Sequence, residues 1–483
     1  MAACPFSLIC LFSLLILLLT TDAGAGSSAA TVTVPLTPLS TKHHLHHSDS
    51  DPLKILHSLA SSSLSRARHL KTKTKPKTKD SNIGSNYSNS LIKTPLSVHS
   101  YGGYSISLSF GTPPQASTPF IFDTGSSLVW FPCTSRYRCV DCNFPNVDPS
   151  RIPAFIPKRS SSSQLIGCQN PKCSWIFGPN VESRCKGCSP RNKTCPLACP
   201  SYLLQYGLGF TAGLLLSETL RFPSKTVPNF LAGCSILSDR QPAGIAGFGR
   251  SSESLPSQLG LKKFSYCLLS RKFDDAPVSS NLVLDTGPGS GDSKTPGLSY
   301  TPFYKNPVGS SSAFGEFYYV GLRQIIVGSK HVKIPYSYLV PGSDGNGGVI
   351  VDSGSTFTFM EGPLFEAVAK EFIRQMGNYS RAADVEKKSG LRPCFDISGK
   401  KSVYLPELIL KFKGGAKMAL PPENYFALVG NEVLCLILFT DNAAGPALGR
   451  GPAIILGDFQ LQNFYLEFDL ANDRFGFAKQ KCA

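Results

Sequence analysis

Two stretches of the chain carry nearly the same pattern: FIFDTGSSLVW (Phe120–Trp130) and VIVDSGSTFTF (Val349–Phe359). In each stretch an apolar run leads into Asp, a hydroxyl residue, Gly and a second hydroxyl residue, and the two acidic residues are Asp123 and Asp352. The apolar run predicts a buried strand, and the Gly permits the tight turn after it. One Asp-Thr-Gly is ordinary turn chemistry, but two copies predict two equivalent loops that bring their carboxylates face to face.

A pair of carboxylates in one site has a defined chemistry. Both cannot easily ionise, so one acquires a lowered pKa and the other a raised pKa. The ionised member can accept a proton from water, while the protonated member polarises a substrate carbonyl. The duplicated motif therefore predicts hydrolysis by an activated water, without a covalent enzyme intermediate, a metal or a cofactor.

Length and composition predict a β-rich protein of two lobes. The chain has 483 residues, more than one compact core, and its 43 Gly and 37 Pro suit many turns between short strands. Strict alternation at Tyr104–Phe110 predicts a strand, and Pro363 fits the start of a helix from Gly362 to Met376. The Gly, Ser and Pro stretch Asp285–Gly297 is the predicted connection between the halves.

Further motifs surround the two loops, and together they resemble the pepsin-type aspartic proteases, more narrowly their atypical, nepenthesin-like plant branch. The resemblance covers about residues 101–481. Trp130 matches a residue that supports the flap of that family, and Tyr206–Gly209 matches the flap itself, a hairpin that closes over the substrate. Gly244–Gly249 and Ile455–Asp458 resemble the strands that cross behind each catalytic loop.

The resemblance implies an all-β, bilobal, pepsin-like acid protease fold with two pseudo-symmetric β lobes and a central cleft. Asp123 and Asp352 would be the catalytic residues. Tyr206, Gly207 and Trp130 would belong to the flap and substrate-binding region. The implied activity is that of a secreted aspartic-type endopeptidase that cleaves peptide bonds at acidic pH through the Asp–Asp dyad and an activated water.

The residues next to each Asp also match the family. Thr124 and Ser353 would form an inner hydrogen-bonded pair between the loops, and Ser126 and Ser355 would hydrogen-bond the carboxylates from outside. With one glycine in each loop, the supporting set is Thr124, Gly125, Ser126, Ser353, Gly354 and Ser355. One departure is Phe210 at the flap tip, where relatives more often carry polar residues.

Cysteine usage indicates a disulfide-bonded, exported chain. After removal of a signal peptide, fourteen of the sixteen Cys remain and can form up to seven bridges. They are Cys133, Cys139, Cys142, Cys168, Cys173, Cys185, Cys188, Cys195, Cys199, Cys234, Cys267, Cys394, Cys435 and Cys482. The resemblance implies a five-bridge set from Cys133 to Cys234, a Cys394–Cys435 pair and a Cys267–Cys482 pair.

The closely spaced cysteines leave an alternative open. Cys139-x-x-Cys142 and Cys185-x-x-Cys188 have the spacing of zinc ligands, although no His lies near them in the sequence. The secretory route oxidises thiols, which favours disulfides over a metal site. The sequence therefore predicts no metal.

The segments before the lobes are predicted to be processed. Residues 1–25 have the apolar run and the small-residue end of a signal peptide, with a retained anchor as the alternative because no Lys or Arg precedes the run. Secretion to the apoplast or cell wall is the expectation, and the vacuole is the alternative. Sequons make Asn86, Asn192 and Asn378 candidate glycosylation sites.

Residues 26–95 are predicted to be a basic prosegment or a disordered arm, because they hold ten Lys or Arg against three Asp and lack a convincing core pattern. A further hypothesis places this segment across an acidic cleft, from which it leaves when the carboxylates lose charge at low pH. Residues 96–290 would then form the N-terminal lobe, with the first Asp, the Cys-rich insert and the flap. Residues 291–483 would form the C-terminal lobe with the second Asp.

Two other functions are weighed against the protease. A catalytically silent binding protein or glycosidase inhibitor could share this fold, and Phe210 is the feature that favours it. A Ser–His or Cys–His hydrolase is disfavoured, since only His99 and His331 lie beyond the basic arm. The expected partner is a peptide or protein substrate of a monomer, with no nucleic acid and no stable membrane anchor. The net charge of +16 adds acidic cell-wall polysaccharide as a candidate partner.

Overall fold

The computed structural model describes fifteen stretches of the chain. They are residues 31–38, 52–71, 94–95, 103–115, 118–142, 152–178, 181–185, 197–222, 225–241, 243–270, 280–286, 293–307, 312–430, 432–440 and 451–482. The predicted signal peptide, the sequons at Asn86 and Asn192, and Cys188 and Cys195 lie outside these residues. So do residues 287–292 of the predicted connection between the halves.

The described elements are mostly strands. The helices are α1 (Pro52–Lys71), α2 (Pro171–Phe177), α3 (Leu255–Leu259), α4 (Gly362–Gln375) and α5 (Ala383–Ser389). The strands before the second motif are β1 (Thr31–Pro38), β2 (Thr94–Pro95), β3 (Tyr104–Phe110), β4 (Thr118–Asp123), β5 (Trp130–Pro132), β6 (Arg138–Val140), β7 (Gln164–Leu165), β8 (Tyr202–Arg221), β9 (Thr226–Asp239), β10 (Gly244–Gly247), β11 (Lys263–Cys267), β12 (Ser280–Asp285), β13 (Ser299–Pro302), β14 (Tyr319–Val320), β15 (Leu322–Val327) and β16 (Lys330–His331). Those that follow are β17 (Val349–Val351), β18 (Phe359–Met360), β19 (Cys394–Asp396), β20 (Leu408–Phe412), β21 (Lys417–Leu420), β22 (Phe426–Val429), β23 (Val433–Leu436), β24 (Ile454–Leu456), β25 (Phe464–Asp469) and β26 (Arg474–Lys479).

One large sheet joins the two halves of the chain. Its main path runs β13-β26-β25-β11-β12-β1-β3-β4-β10-β5-β9-β8-β2, and β6 and β7 complete its fifteen strands. The last two strands of the chain therefore pair beside strands of the first half. Three smaller sheets, β14-β17-β24-β18, β16-β15-β20-β21 and β19-β23-β22, lie in the second half.

The same local topology surrounds each motif. In the first half β4 runs parallel to β10, which is also antiparallel to β5. In the second half β17 runs parallel to β24, which is also antiparallel to β18. Each motif thus leaves one strand of a parallel pair and returns as the antiparallel neighbour of the other strand. This repeat is the pseudo-symmetry that the sequence predicts.

Apolar periodicity explains the individual elements. In β3 the side chains of Tyr104, Ile106, Leu108 and Phe110 are buried, which confirms the predicted strand. Helix α4 begins with Gly362 and Pro363 and ends one residue before the predicted Met376. It buries one apolar stripe against the core: Leu364, Phe365, Val368, Ala369 and Phe372.

Six disulfides are present among the described residues. Cys267–Cys482 and Cys394–Cys435 confirm the two pairs that the family resemblance implies. Cys133–Cys234 closes the Cys-rich region, and the pairs within it are Cys139–Cys142, Cys168–Cys185 and Cys173–Cys199. Because Cys139 and Cys142 bond to each other and Cys185 bonds to Cys168, the zinc alternative at these cysteines is wrong.

The basic segment is more ordered than the sequence analysis predicts. Strand β1 pairs with β12 and β3 in the large sheet, and α1 packs between the two halves of the molecule. Ala60, Ser63, Ala67 and Leu70 are buried on one face of α1, at helical spacing. The disordered-arm interpretation is therefore wrong for these two ranges. Short side chains, which carry little hydrophobic signal, hid the pattern.

Candidate active site

The two motifs meet at the centre of the molecule. Asp123 ends β4, Asp352 follows β17, and both side chains are fully buried. Each glycine lets the opposite carboxylate approach its backbone. An ideal Cβ at Gly354 would lie 2.5 Å from Asp123 Oδ1, and one at Gly125 would overlap Asp352 Oδ1. The glycines are required by this close approach, and the structure brings the two predicted acids together.

An inner pair of hydroxyls ties the loops to each other. The Ser353 amide donates to Thr124 Oγ1 at 2.9 Å, and the Thr124 amide donates to Ser353 Oγ at 3.0 Å. Each hydroxyl in turn donates across to a strand carbonyl, Thr124 to Val351 at 3.2 Å and Ser353 to Phe122 at 3.0 Å. These four reciprocal bonds fix the positions of the two loops relative to each other.

A second set of donors holds each carboxylate within its own loop. Ser126 Oγ donates to Asp123 Oδ2 at 2.6 Å, and the Gly125 amide donates to Asp123 Oδ1 at 2.9 Å. Hydrogen bonds to the charged form favour ionisation and fix the carboxylate plane. The second loop repeats these bonds at 2.6 Å and 3.0 Å, from the hydroxyl of Ser355 and the amide of Gly354 to Asp352.

The crossing strands support the loops from behind. The Phe248 amide donates to the Asp123 carbonyl at 2.7 Å, and the Asp352 amide donates to the Leu456 carbonyl at 3.0 Å. The Asp458 amide donates to the Ser355 carbonyl at 2.9 Å, and its side chain is buried behind the second loop. The two stretches that resemble crossing strands therefore lie where the resemblance places them.

A residue that the sequence analysis missed lies between the two carboxylates. Arg66 of α1 is 1% exposed and donates from Nε to Asp352 Oδ2 at 2.5 Å. Its Nη2 donates to Asp123 Oδ1 at 2.6 Å and to Asp352 Oδ1 at 2.7 Å. One guanidinium therefore bridges both acids of the pair, with two hydrogen bonds to Asp352 and one to Asp123.

The electrostatics of the three groups are linked. Burial raises the pKa of Asp123 above its ordinary value, with Asp352 adding to the rise and Arg66 opposing it. Burial also opposes ionisation of Asp352, but Arg66, Ser355 and the Gly354 amide together hold the pKa of Asp352 below its ordinary value. Burial disfavours the charge on Arg66, yet the two carboxylates raise its pKa. The pair is thus electrostatically unequal although its two loops are alike.

Helix α1 is held in the cleft by more than its arginine. Ser63 Oγ accepts a hydrogen bond from the Phe357 amide at 3.0 Å, just beyond the second loop. Ala67 and Leu70 pack in a cluster with Phe317 and Phe359 of the second half. The sequence signal for this helix is the 3-4-3 spacing of its small and apolar residues around the arginine.

The predicted flap residues lie beside the first acid. Trp130 Nε1 donates to the Tyr206 hydroxyl at 2.7 Å, and both rings are fully buried. Burial, with Asp123 nearby, raises the pKa of Tyr206 well above its ordinary value, so its hydroxyl stays protonated. Gly207 pairs with Thr94 of β2.

The start of β8 folds back on itself as a flap hairpin does. The Tyr202 hydroxyl would lie 2.8 Å from an ideal Cβ at Gly233, and Gly233 pairs with Leu215. A fully extended chain from 202 to 215 would span roughly 40 Å, so the chain must reverse between these residues. Phe210 lies just after this reversal, where it pairs with Asp239 and is partly exposed.

The described ranges contain neither a metal-binding cluster nor a membrane-spanning helix. Among these residues, no group of three or more His, Cys, Asp or Glu side chains is placed to hold a metal ion. Within the same residues, no helix combines the length and apolar character needed to cross a membrane. Asn378, the sequon residue that is described, is exposed.

Family models match both halves of the chain. A model described as xylanase inhibitor N-terminal matches residues 104–284, and one described as xylanase inhibitor C-terminal matches residues 317–479. The matched ranges contain the first and the second catalytic motif, respectively. They begin after the segment that carries Arg66.

Relatives and solved structures agree with this match. A probable aspartyl protease of Arabidopsis thaliana is 33% identical over 80% of this chain and 84% of its own length. Aspartic proteinase nepenthesin-1 of Nepenthes gracilis is 32% identical over 79% of this chain and 78% of its own. The crystal structure of edgp superposes with a TM-score of 0.57 at 20% identity, over 94% of this chain and 95% of that one. Basic 7S globulin from soybean gives a TM-score of 0.56 at 17% identity, over 94% and 95%. The fold is thus the all-β, pepsin-like fold, and the chain belongs to the plant atypical pepsin-like aspartic protease family.

Proposed function

We propose that this chain is the precursor of an aspartic-type endopeptidase that cleaves peptide bonds at acidic pH. The observation that carries the proposal is the complete dyad: two buried carboxylates, Asp123 and Asp352, in equivalent loops. Each has its own serine and glycine donors, and reciprocal hydroxyl–amide bonds tie the loops together. A protein that only binds a partner has no need of this arrangement.

The geometry favours general acid–base catalysis by the pair. In the free enzyme the two carboxyls share one proton, because two charges so close together cannot both persist. The ionised carboxylate takes a proton from the attacking water, and the protonated carboxyl donates a hydrogen bond to the peptide carbonyl oxygen. Tyr206 and Trp130, on the side of the first acid, help to exclude bulk water from the reacting bond.

Arg66 keeps the precursor inactive. Its guanidinium hydrogen-bonds both carboxylates, so neither can act on water or on a carbonyl while α1 remains in place. Arg66 helps to hold the pKa of Asp352 below its ordinary value, and that effect is lost when the helix leaves, whereas burial keeps the pKa of Asp123 raised even with Arg66 bound. Release of the helix therefore lets Asp352 take up a proton more readily, and acid favours it. Through this group the bound state is stabilised above the ordinary carboxyl pKa and loses that stabilisation as the pH falls through the lowered pKa of Asp352.

A glycosidase inhibitor is the second candidate, because both matching family models are described as xylanase inhibitor domains. The partly exposed Phe210 near the flap tip is the feature of this chain that fits a binding surface. The intact dyad and its full set of donors support the protease instead. The same preparation can be tested for both activities.

The test uses the full chain with specific protease sites inserted between residues 39 and 51 and between residues 72 and 93, so that β1 stays in the sheet when α1 is released. The chain is cut after folding and washed in acid to remove the helical segment. Cleavage of an unfolded protein is then followed from about pH 2.5 to about pH 7, a range that spans ordinary carboxyl titration. We expect activity at acid pH. Asp123→Asn and Asp352→Asn should each lower it by at least about 10² to 10⁴, the usual contribution of general acid–base catalysis.

Asp473→Asn is the matched control, because Asp473 is 68% exposed and pairs only at the surface with Arg250. It should leave the activity unchanged. Absence of cleavage at every pH by folded, disulfide-bonded protein would contradict the protease proposal. Inhibition of a xylanase by that inactive protein would support the second candidate.

We also propose export and a polysaccharide partner. The six disulfides support an oxidising compartment such as the apoplast or the vacuole. Arg323, His331 and Lys333 line a surface cavity of about 530 Å³, which supports binding of acidic cell-wall polysaccharide. Retention on polygalacturonate that falls with added salt is the expected result. Equal retention on a neutral polysaccharide would contradict it.

A further inference from the structure

Helix α1 places a second cation in the cleft. The side chain of Lys71, the last residue of the helix, is fully buried. Its Nζ forms an ion pair with the Glu361 carboxylate and donates to the Pro452 carbonyl oxygen at 3.4 Å. Nζ also lies 5.7 Å from the centroid of the Phe359 ring. An anion, a carbonyl and an aromatic face are the groups that bind a primary ammonium.

The residues around Lys71 all belong to the second half of the molecule, and they form what we term the lysine pocket (Phe359, Glu361, Gly451 and Pro452). Glu361 directly precedes the fourteen-residue helix α4, whose positive end favours a carboxylate there. Gly451 has φ +148°, and an ideal Cβ would lie 2.7 Å from Lys71 Cα. Glycine is thus needed where the bound chain passes. The pocket is built on a strand and a helix terminus, outside the segment that fills it.

The lysine pocket lies in the same half of the molecule as the second acid, since Phe359 and Glu361 follow Asp352 closely in the sequence. Lys71 follows Arg66 by five residues in one helix, about 7.5 Å along the axis and turned by about 140° around it, so one helix fills the dyad and the pocket from different faces. Glu361 is 25% exposed with Lys71 bound, and removal of the helix exposes it further.

We propose that the lysine pocket, once α1 has left, binds a lysine side chain of the peptide substrate near the scissile bond. This inference rests on the proposed peptidase function and specifies its substrate class. Lys71 then has two roles: it anchors the inhibitory helix and it occupies a subsite of the cleft. The pocket selects lysine because Glu361 supplies one negative charge and the ring of Phe359 supplies an apolar wall for the side-chain stem.

The test compares matched peptides that differ only in lysine or norleucine at each position flanking the cleaved bond. Cleavage is measured on the cut, acid-washed chain at the upper end of its active pH range. We expect kcat/KM to favour lysine by about fivefold at one position, as for a partly exposed ion pair. Glu361→Gln should abolish this preference.

Glu366→Gln is the matched control. Glu366 lies on the same helix, its side chain is 50% exposed, and it pairs with Arg392 at the surface. This variant should keep the lysine preference. The norleucine peptide reports whether each variant is folded and active.

A peptide-binding measurement tests the lysine pocket independently of peptidase activity. Fluorescent lysine and norleucine peptides are titrated, by anisotropy, into the cut chain carrying Asp123→Asn, with and without Glu361→Gln. About fivefold tighter binding of the lysine peptide, lost with Glu361→Gln, supports the pocket even if the unmodified chain cleaves nothing. Cleavage or binding with equal affinity for both peptides, or a preference that Glu361→Gln leaves intact, would overturn the inference. So would the absence of any peptide binding.

Discussion

The loops that carry Asp123 and Asp352 are nearly identical in their internal bonds, yet they differ in what lies against them. Ser126 and Ser355 donate to their carboxylates at the same distance, 2.6 Å. Arg66, however, donates twice to Asp352 and once to Asp123. The pKa of Asp123 is raised and that of Asp352 is lowered. The symmetry comes from the repeated motif, whereas the inequality comes from one helix.

That helix packs against both halves of the molecule, with β8 and β2 beside it in the first half and α5 and β18 in the second. Its side chains contact Phe357, Phe359 and Glu361, at and just beyond the end of the second motif. The first motif carries the flap side of the cleft, with Tyr206 and Trp130. Under the proposed function, a duplicated framework is thus held inactive by one segment that is not duplicated.

The largest expected effect comes from Arg66. In the intact chain at about pH 5, Arg66→Ala should raise peptide cleavage by about a hundredfold or more, because removing one partner of a buried ion pair costs about 3 to 5 kcal/mol and so expels the helix. Arg66→Lys should give an intermediate rate, since an ammonium cannot make the forked contact. Cleavage of a fluorogenic peptide is the measurement, with mass spectrometry showing that the segment is still attached.

Arg68→Ala is the control for this prediction, because Arg68 lies on the same helix and is exposed. It should leave the intact chain inactive at that pH. If Arg66→Ala is as inactive as the unmodified chain while still folded, then the guanidinium does not hold the site closed.

Substitutions in the inner hydroxyl pair, Thr124 and Ser353, should destabilise the protein equally if the two loops are structurally equivalent. Thr124→Val leaves the Ser353 amide and the Val351 carbonyl without their partner, and Ser353→Ala does the same to the Thr124 amide and the Phe122 carbonyl. Each change should lower the free energy of unfolding by about 2 kcal/mol, as for buried groups left unpaired. Denaturant unfolding of the disulfide-bonded intact chain is the measurement.

Similar losses of unfolding free energy in the two single variants would support the equivalence of the loops. The double variant should lose less than the sum of the two single losses, because Thr124 and Ser353 share their hydrogen bonds. A large loss at one position with almost none at the other would show that the loops are not interchangeable. Ser174→Ala is a surface control, because its hydroxyl donates to the Pro171 carbonyl within the short helix α2, far from the dyad in the sequence.

The flap contact should have the smallest effect. Tyr206→Phe keeps the buried ring but removes the acceptor for Trp130 Nε1. The free energy of unfolding should fall by about 1 kcal/mol, and peptide cleavage by the cut chain should fall mainly through kcat.

Phe210→Ser tests the apolar residue at the flap tip. A gain in cleavage would show that the apolar side chain restrains the flap.

The parts of the site that depend on local patterns can be predicted from the sequence. The two acids, their hydroxyl neighbours and the crossing strands follow from short motifs, and the strand Tyr104–Phe110 follows from alternation. Arg66 could not be found this way, because it lies 57 residues from Asp123 and 286 from Asp352 in the sequence. The lysine pocket is also assembled from separated segments.

The basic segment, residues 26–95, shows why Arg66 and its helix do not follow from the sequence. Its charge predicts a role in an acidic cleft, but charge alone carries no helical pattern. That helix buries alanine and serine, which contribute little to a hydrophobic pattern, and its stability comes from the groove that it fills. Tertiary packing, rather than local propensity, decides its position.

The most direct test of the shared dyad is the pH dependence of kcat/KM for the cut, acid-washed chain. One carboxyl must be ionised and the other protonated, so the profile should be bell-shaped and lie on the acid side of neutrality. The rate should fall at low pH as the base becomes protonated, and at higher pH as the acid loses its proton. A profile with a single limb, or a plateau that extends through neutral pH, would show that Asp123 and Asp352 do not act as one proton-sharing pair.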